Sequence, residues 1–335
     1  MSLKVAINGF GRIGRLTYRI ALKHPNIDIV ATNDLMDTKA LVHLLKYDSN
    51  YGTLDADIHA ESNFFTVNGK KTVTLSERDP AKLPWKEMGI DVVVEATGLF
   101  TDALKANVHL TAGAKKVVIS APAKNEDFTV VLGVNEEKYD PIKHKIISNG
   151  SCTTNCVTPV MKVLNDCFEI EKSLMTTVHS VTLDQRLQDA VHKDYRRMRA
   201  AWQSIIPTST GAAKSLSIVI PSLKSKFDAL SMRVPTATVS VIDVVALVKK
   251  STTKEEINNR FKEYAEKSMK GILGVAEEPL VSMDFKGSPY SAIVDTELTT
   301  VVGENLIKVI AWYDNEYGYA NRLVDLLEYI NKKGV

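Results

Sequence analysis

One cysteine stands where the chain changes from a strand-like pattern to a helical one. Residues 145–147 are β-like, residues 148–151 are polar or small, and a helical pattern covers 157–168. At such a turn, unpaired backbone N–H groups and the positive end of a helix dipole converge. This field favours the thiolate, which is the nucleophilic form of cysteine. The sequence therefore predicts that Cys152 attacks an electrophile.

The two other cysteines are expected to have structural roles. Cys156 lies four residues after Cys152, but no second Cys/His pair completes a tetrahedral zinc site, so no metal is expected. Cys167 falls on an apolar helical face and is predicted to lie in the core. With only three cysteines, a disulfide framework is not expected, which favours a reducing cytoplasm.

His179 is the histidine best placed to act as a base. It ends a strand pattern over 173–182, at the start of a polar segment over 183–204 that has little periodicity. Strand ends beside long loops often carry working side chains, and loops of this length are usually functional or disordered. Spacing alone does not exclude the other histidines as the base. His43 is placed on a helix face, and the remaining five are predicted at the surface: His24, His59, His109, His144 and His192.

Arginines and hydroxyl groups after the cysteine suggest a phosphate site. Arg197, Arg233 and the turn 208–211, which precedes a helical pattern, could bind phosphate, because arginine forks match its oxygens and helix N-termini attract it. The alternative of a solvated charged loop or a subunit contact stays open on the residues alone.

The first residues predict a dinucleotide site. Gly9, Gly11 and Gly14 form G-x-G-x-x-G between a strand pattern over 4–8 and a helical pattern over 15–23. Such glycines allow a tight turn and close approach of the backbone to a pyrophosphate. Asp34 lies twenty residues after Gly14 and ends the next strand pattern, where an acid binds the ribose hydroxyls of NAD.

The order of the patterns predicts two domains. Strands and helices alternate through residue 150, including a helix over 103–112 and a strand over 128–133, which predicts an α/β domain with a Rossmann-type doubly wound parallel sheet. After residue 169 strand patterns dominate, which predicts an α+β catalytic domain with a mainly antiparallel sheet. We expect residues 1–151 with 315–335 to form the dinucleotide-binding domain and 152–314 the catalytic domain.

Composition excludes several function classes. The 335 residues are 44% hydrophobic and 24% charged, with a net charge of +2, so no global field recruits nucleic acid or a membrane surface. The longest apolar runs are too short to span a bilayer, and the first residues lack the features of a signal peptide. A cytoplasmic protein is expected.

Taken together, these motifs resemble the phosphorylating glyceraldehyde-3-phosphate dehydrogenase family along nearly the whole chain. The most specific matches are Ser-Cys-Thr-Thr-Asn-Cys at 151–156 and Trp-Tyr-Asp-Asn-Glu-Tyr-Gly-Tyr at 312–319. Further matches lie at 7–15, 33–34, 45–49, 95–98, 177–179, 205–214 and 232–236.

The resemblance implies a reaction and a role for each matching residue. Cys152 would form a thiohemiacetal and then a thioester with glyceraldehyde 3-phosphate, with His179 as the base, and inorganic phosphate would release 1,3-bisphosphoglycerate, in glycolysis and gluconeogenesis. Thr182 and Arg233 would hold the substrate phosphate. The inorganic-phosphate site would comprise Ser151, Thr153, Arg197, Thr210 and Gly211. The cofactor contacts would be Gly9, Gly11, Arg12, Ile13, Gly14, Asp34, Arg78, Ser120 and Asn315. The family is a cytoplasmic homotetramer.

Several residues depart from the family pattern. Gly150 replaces the usual alanine before Ser-Cys, and its backbone freedom is expected to hold Cys152 less rigidly. Val181, Leu183 and Trp202 are also unusual. Ala190-Val191 replaces a leucine-proline pair typical of NAD-specific members, whereas the carboxylate of Asp34 repels a 2′-phosphate. We expect NAD as the preferred cofactor, with some use of NADP.

The residues leave rival functions to be tested. Within the same class, an erythrose-4-phosphate dehydrogenase or an NADP-using member shares the fold and the thiol chemistry. A cysteine hydrolase built on Cys152 and His179 is disfavoured by the dinucleotide fingerprint. A non-enzymatic RNA-binding role has little support from the near-neutral charge.

Overall fold

A computed structural model describes residues 2–335, and these form two compact units. The first comprises the residues up to Val130 together with Glu137–Gly150 and Ala320–Val335. The second comprises Val131–Glu136 and Ser151–Tyr319.

The first unit is built on a nine-stranded sheet. The strands of this unit are β1 (Leu3–Asn8), β2 (Ile27–Asn33), β3 (Tyr47–Asp48), β4 (Gly52–Thr53), β5 (Ile58–Ala60), β6 (Phe64–Val67), β7 (Lys70–Leu75), β8 (Val92–Glu95), β9 (Lys116–Ile119), β10 (Phe128–Thr129) and β11 (Ile146–Ser148). Of these, β3 and β4 form a separate two-stranded ribbon, and the others form the nine-stranded sheet. The order is β10-β11-β9-β8-β1-β2-β7-β6-β5. Pairing is parallel from β10 to β7 and antiparallel in the last two pairs. This confirms the predicted α/β class, and the central strand β8 is buried along its length, as apolar parallel strands are.

The helices of the first unit that precede residue 150 are α1 (Arg12–Ala21), α2 (Thr38–Lys46), α3 (Trp85–Met88), α4 (Ala103–Ala106) and α5 (Val108–Thr111). One predicted helix and one predicted strand of this unit need correction. The helix predicted over 103–112 is interrupted at Asn107, whose backbone stays right-handed and bonds to Ala103, so the break is a single residue. The strand predicted over 128–133 ends at Thr129, because the Val131 N–H donates to the Asn135 side chain at 2.8 Å.

The surface position predicted for His109 is wrong. Its side chain is fully buried and lies between Trp85 and Glu95. The indole N–H of Trp85 donates to Nδ1 at 3.1 Å, and Nε2 lies 3.0 Å from the Glu95 carboxylate, which also accepts from Asn8 at 2.6 Å. A buried carboxylate needs such donors, and sequence spacing does not reveal a partner from another element.

The second unit is built on a seven-stranded sheet. Its strands are β12 (Ile170–Ser180), β13 (Ile206–Ser209), β14 (Phe227–Val234), β15 (Ser240–Val248), β16 (Leu273–Ala276), β17 (Ala292–Val302) and β18 (Leu306–Tyr313). The order is β13-β14-β12-β15-β18-β17-β16, and all pairs are antiparallel except β14 with β12 and β17 with β16. The mainly antiparallel sheet that the sequence predicts is therefore confirmed.

Three helices complete the core of the second unit. They are α6 (Cys152–Phe168), α7 (Ala212–Val219) and α8 (Lys254–Glu266), and a fourth helix, α9 (Tyr317–Lys333), begins at the end of this unit and returns the chain to the first. Apolar side chains of α6, α7 and α8 form one buried cluster with alternate residues of β15. Burial of this apolar surface is the main stabilising contribution to such a unit. The segment 183–204 contains no helix or strand, as predicted.

Candidate active site

Cys152 is the first residue of α6. The helix begins five residues before the predicted pattern, because the side chain of Ser151 caps it by accepting the Thr154 N–H at 3.0 Å. The N–H groups of the first turn have no partner within the helix. The thiol therefore sits at the positive end of a seventeen-residue helix, as the sequence predicts.

Gly150 adopts a backbone conformation that suits glycine. Its φ is +62°, in the left-handed region that glycine enters without steric cost. The residue therefore fits its turn, and the expectation that it loosens Cys152 has no support in the backbone conformation.

Replacing Gly150 with alanine is expected to destabilise the protein by about 1–2 kcal/mol, because a Cβ is disfavoured in the left-handed region. The measurement is the free energy of unfolding in denaturant, at fixed protein concentration. Gly11→Ala is the matched control, since Gly11 has a φ of −74° and a Cβ there meets nothing within 4 Å. Equal stability of Gly150→Ala and wild type would contradict the strain argument.

His179 lies against the thiol. It is the penultimate residue of β12, is 2% exposed, and places Nε2 3.5 Å from the Cys152 Sγ. The Tyr313 ring meets the imidazole edge-on, with centroids 5.9 Å apart. Burial, and then the positive charge of Arg233, lower the pKa of His179 to about 3, although a hydrogen bond to the Ser180 carbonyl opposes this.

Burial also governs the protonation of the thiol. It raises the pKa of Cys152, while Arg233 and the N–H groups at the start of α6 lower it less. The helix field expected to favour the thiolate is therefore outweighed by desolvation. Burial of both side chains favours their neutral forms, a thiol and an imidazole.

Arg233 lies beside His179 because β14 pairs with β12. His179 and Arg233 are Cα partners in that parallel pair, and Nη1 of Arg233 lies 2.7 Å from Nδ1 of His179. The Nε atom of Arg233 is buried and makes no hydrogen bond among the described residues. Such an atom is costly to leave unsatisfied and can be satisfied by an anion.

The residues predicted to bind inorganic phosphate divide into two groups. Arg197 lies against the β13–α7 turn, donating to the Ser209 carbonyl at 3.3 Å, and the turn continues into Thr210 and Gly211, the N-cap of α7. Asp194 at 3.2 Å and Asp184 already pair with Arg197. Ser151 caps α6, and the Thr153 hydroxyl bonds to the Tyr313 hydroxyl at 3.0 Å.

Thr182 follows β12 and is exposed. Its hydroxyl donates to the Gln185 side chain at 3.1 Å, which fixes the start of the 183–204 loop. Its side chain is thus accessible to a ligand, although Gln185 already accepts its proton.

The hydroxyl groups of Tyr313, Ser180 and Ser240 are not among the site residues that the sequence predicts. The Tyr313 hydroxyl bridges Thr153 at 3.0 Å and Thr177 at 2.9 Å, and burial raises its pKa far above the usual value. The side chains of Ser180 and Ser240 both donate to Oδ1 of Asn315, at 2.8 and 2.9 Å, which orients its amide. Alternation along β12 places Thr177 on the same face as His179, which was the available signal.

The first unit carries a backbone cradle that fits a dinucleotide. A Cβ on Gly9 would come within 2.6 Å of the Thr97 nitrogen, and one on Gly14 within 2.3 Å of the Gly9 carbonyl oxygen, whereas Gly11 faces open space. The Asp34 carboxylate accepts the Phe10 N–H at 2.8 Å, so the acid is tied to the glycine turn. The packing thus requires the first and third glycines, and the open side at the second leaves room for a pyrophosphate.

The other predicted cofactor contacts lie on separate elements of the first unit. Arg12 pairs with Asp48 at 2.6 Å, and Ile13 follows it in the first turn of α1. Arg78 is exposed in the loop after β7, and Ser120 follows β9, with its N–H bonded to the Glu95 carbonyl at 2.9 Å.

Residues 2–335 contain neither a cluster of metal ligands nor a membrane-spanning helix. No group of three or more His, Cys, Asp or Glu side chains there could hold a metal ion. None of the helices in this range is both long and apolar enough to cross a bilayer.

Comparison with known proteins decides the family. Residues 151–315 match the model of the C-terminal domain of glyceraldehyde 3-phosphate dehydrogenase, and residues 3–103 match the model of its NAD-binding domain. The chain belongs to the glyceraldehyde 3-phosphate dehydrogenase family. A glyceraldehyde-3-phosphate dehydrogenase of Geobacillus stearothermophilus and one of Bacillus subtilis are each 56% identical over 335 residues, covering all of both chains. One from Streptomyces avermitilis is 52% identical over 99% of this chain and all of its own.

Membership of the glyceraldehyde 3-phosphate dehydrogenase family confirms several of the sequence predictions. The chain is an NAD-dependent oxidoreductase that acts on an aldehyde. The predicted family, the predicted fold class and NAD as the cofactor are thereby confirmed. The expected use of NADP stays a prediction. The roles of individual residues stay predictions.

Proposed function

We propose that this chain oxidises glyceraldehyde 3-phosphate with NAD and inorganic phosphate to 1,3-bisphosphoglycerate, in glycolysis and gluconeogenesis. The observation that carries the proposal is the Cys152 Sγ facing the His179 Nε2 at 3.5 Å, at the start of a helix and beside Arg233. A thiol, a base and a cation in one place suit covalent attack on the aldehyde of a phosphorylated substrate.

The first unit is proposed as the cofactor domain. Its glycine turn and Asp34 would hold the pyrophosphate and the ribose of NAD, with Arg12, Ile13, Arg78 and Ser120 as further contacts. The family resemblance also implies a cofactor contact for Asn315. When bound, NAD supplies the acceptor for the hydrogen and electron pair that leave the substrate carbon. A carboxylate at Asp34 disfavours the extra phosphate of NADP.

In the first half of the reaction, Cys152 forms a bond from Sγ to the aldehyde carbon. Nε2 of His179 accepts the thiol proton, because it is the basic atom nearest Sγ. The Cys152 backbone N–H and the His179 ring would donate to the developing oxyanion. His179 passes that proton to the oxyanion, which gives the hydroxyl of the thiohemiacetal. It takes the same proton back as the carbon is oxidised, which leaves a thioester on Cys152.

In the second half, an oxygen of inorganic phosphate attacks the thioester carbon. The carbon–sulfur bond breaks, the acyl phosphate leaves, and Cys152 is released as a thiolate. Arg197, Thr210 and Gly211, with Ser151 and Thr153, would hold the attacking phosphate, while Arg233 and Thr182 hold the phosphate of the substrate. Two separate cation groups suit a reaction with two phosphates.

A comparison of substrates tests the proposal. Nicotinamide reduction should be faster with glyceraldehyde 3-phosphate than with erythrose 4-phosphate, in kcat/KM, and sustained turnover should require inorganic phosphate. A higher kcat/KM for erythrose 4-phosphate, or turnover that ignores phosphate, would favour the rival dehydrogenase. The absence of any nicotinamide reduction would instead favour a cysteine hydrolase.

The family resemblance also supports a homotetramer in the cytoplasm. The 183–204 loop carries exposed apolar side chains, among them Leu187, Val191 and Tyr195, which suit a subunit contact. The near-neutral net charge gives no support for nucleic acid as a main partner.

A further inference from the structure

A row of buried polar side chains crosses the carboxyl ends of β8, β1 and β2 in the first unit. This polar row consists of Glu95, Asn8 and Asn33, and Asn8 is the Cα partner of both others. The Asn8 amide donates to the Glu95 carboxylate at 2.6 Å, and the Asn33 amide donates to the Asn8 side-chain oxygen at 2.7 Å. The ends of the three strands are therefore joined by side chains as well as by the sheet.

His109, from α5, is hydrogen-bonded to the Glu95 end of the polar row. The indole N–H of Trp85 only donates, so Nδ1 of His109 has to accept its hydrogen bond at 3.1 Å. The ring proton then lies on Nε2, which donates it to the Glu95 carboxylate at 3.0 Å. The orientation of this fully buried ring is thus fixed at both nitrogens, and Nε2 supplies a donor to Glu95.

Glu95 connects His109 to the turn over residues 97–99. Its second carboxylate oxygen accepts the Thr97 N–H at 2.8 Å and also accepts the Thr97 hydroxyl proton. The same hydroxyl oxygen accepts the Leu99 N–H at 3.0 Å. A buried carboxylate keeps such contacts only while its other oxygen is satisfied, because an unpaired buried acceptor is costly. The donor from His109 therefore helps to hold the 97–99 turn.

The 97–99 turn packs against the glycine turn. A Cβ on Gly9 would come within 2.6 Å of the Thr97 nitrogen, which is the nitrogen whose N–H donates to Glu95. The Ala96 N–H donates to the Asn8 carbonyl at 2.7 Å, which joins the two backbones just before they turn. A shift of the 97–99 turn would therefore change the space in which the glycine turn lies.

The other end of the polar row lies beside two of the proposed NAD contacts. Asn33 immediately precedes Asp34. Its side chain also holds the backbone of Glu77, through the N–H and the carbonyl, both at 2.9 Å, and Glu77 immediately precedes Arg78. Ligands of open α/β sheets bind outside the carboxyl ends of the strands, and a site that is already ordered binds more tightly.

We propose that His109 is a positioning residue for NAD, because its donor to Glu95 keeps the 97–99 turn and the glycine turn in the arrangement that receives the dinucleotide. The ring has no exposed surface, so it acts through Glu95 and does not touch the cofactor. The proposal rests on the proposed function, since it uses the cofactor contacts assigned there.

Two substitutions separate the two hydrogen bonds of His109. In His109→Gln the amide reaches the position of Nε2 and can donate to Glu95, while the contact with Trp85 is lost. In His109→Asn the shorter amide reaches only the position of Nδ1, so it can serve Trp85 but not Glu95. Calorimetry on the nucleotide-free chain gives the Kd of NAD. We expect His109→Asn to raise this Kd about tenfold and His109→Gln to leave it within about twofold.

Unfolding in denaturant distinguishes positioning from a general loss of stability. Both variants should be less stable than wild type, because each leaves a buried polar group without its partner. If the role of His109 were only structural, the Kd of NAD would follow stability in both. A double-mutant cycle with Glu95→Gln tests the route. In that background, His109→Asn should no longer change the Kd, since the carboxylate through which His109 acts is gone.

An unchanged Kd in His109→Asn, an equal rise in His109→Gln, or additive effects of the His109 and Glu95 substitutions would each overturn the proposal. Should Glu95→Gln not fold, the two His109 variants decide. Should His109→Asn not fold, Thr97→Val tests the same connection from its other end. It removes the hydroxyl that donates to Glu95, and an unchanged Kd in this variant would overturn the proposal.

The result also separates this proposal from the proposed function. Phosphate-dependent nicotinamide reduction by the wild-type chain, with the wild-type Kd for NAD in His109→Asn, would overturn only the role of His109. Absence of that reduction in the wild-type chain would overturn the proposed function itself.

Discussion

Replacing Cys152 with serine is expected to lower kcat for aldehyde oxidation by about four orders of magnitude or more. The thiol forms the covalent bond that the rest of the reaction needs, and a hydroxyl is a far poorer nucleophile near neutral pH. His179 would still lie beside the hydroxyl, but it is buried and a weak base, with its pKa lowered to about 3. The measurement is the initial rate of nicotinamide reduction with glyceraldehyde 3-phosphate.

Cys167→Ser is the matched control for that experiment. Cys167 is a half-buried thiol near the other end of α6, so the substitution makes the same chemical change away from the site. We expect it to retain activity within a few-fold. Turnover by Cys152→Ser at a rate comparable with that of Cys167→Ser would refute the assignment of the nucleophile.

Replacing His179 with asparagine is expected to slow acylation of Cys152 by about 10²–10⁴-fold, the usual contribution of a general base. Asparagine keeps a polar side chain of similar reach but cannot accept the proton. The rate of nicotinamide reduction in a single turnover isolates this step. The pH dependence should also change, because one of the two titrating groups is gone.

His59→Asn provides the control for His179→Asn. His59 is exposed on β5 and pairs with the nearby Asp57, at 2.9 Å. Its replacement is expected to leave acylation unchanged. A His179→Asn enzyme that acylates as fast as His59→Asn would show that another group acts as the base.

The sequence predicts the parts of this molecule that depend on local patterns. The glycine turn, the end of β2 just before Asp34 and the change to long strands after residue 169 all follow from periodicity and turn chemistry. Helix starts are predicted less well. The helix α6 starts at Cys152 because Ser151 caps it. The first turn of α6 is polar, so it lacks the apolar periodicity from which the helix was predicted.

What the sequence does not show is the pairing of polar groups from different elements. The burial of His109 between Trp85 and Glu95 depends on three separate elements meeting. The contact between Arg233 and His179 depends on the register of β14 against β12. Likewise, the pKa of Cys152 is raised because the thiol is buried at the start of α6. This desolvation outweighs the effect of the helix dipole that the sequence leads us to expect. Sequence therefore identifies the candidates, but their protonation follows only from packing.

The most direct test of the central claim is a single-turnover experiment with NAD and glyceraldehyde 3-phosphate and with inorganic phosphate withheld. We expect a burst in which the amount of reduced nicotinamide equals the number of active sites. Mass spectrometry should then detect an acyl group on the Cys152 peptide. Phosphate should then remove that group and restore turnover. A burst with no mass added to Cys152, or an acyl group that phosphate does not discharge, would contradict the account.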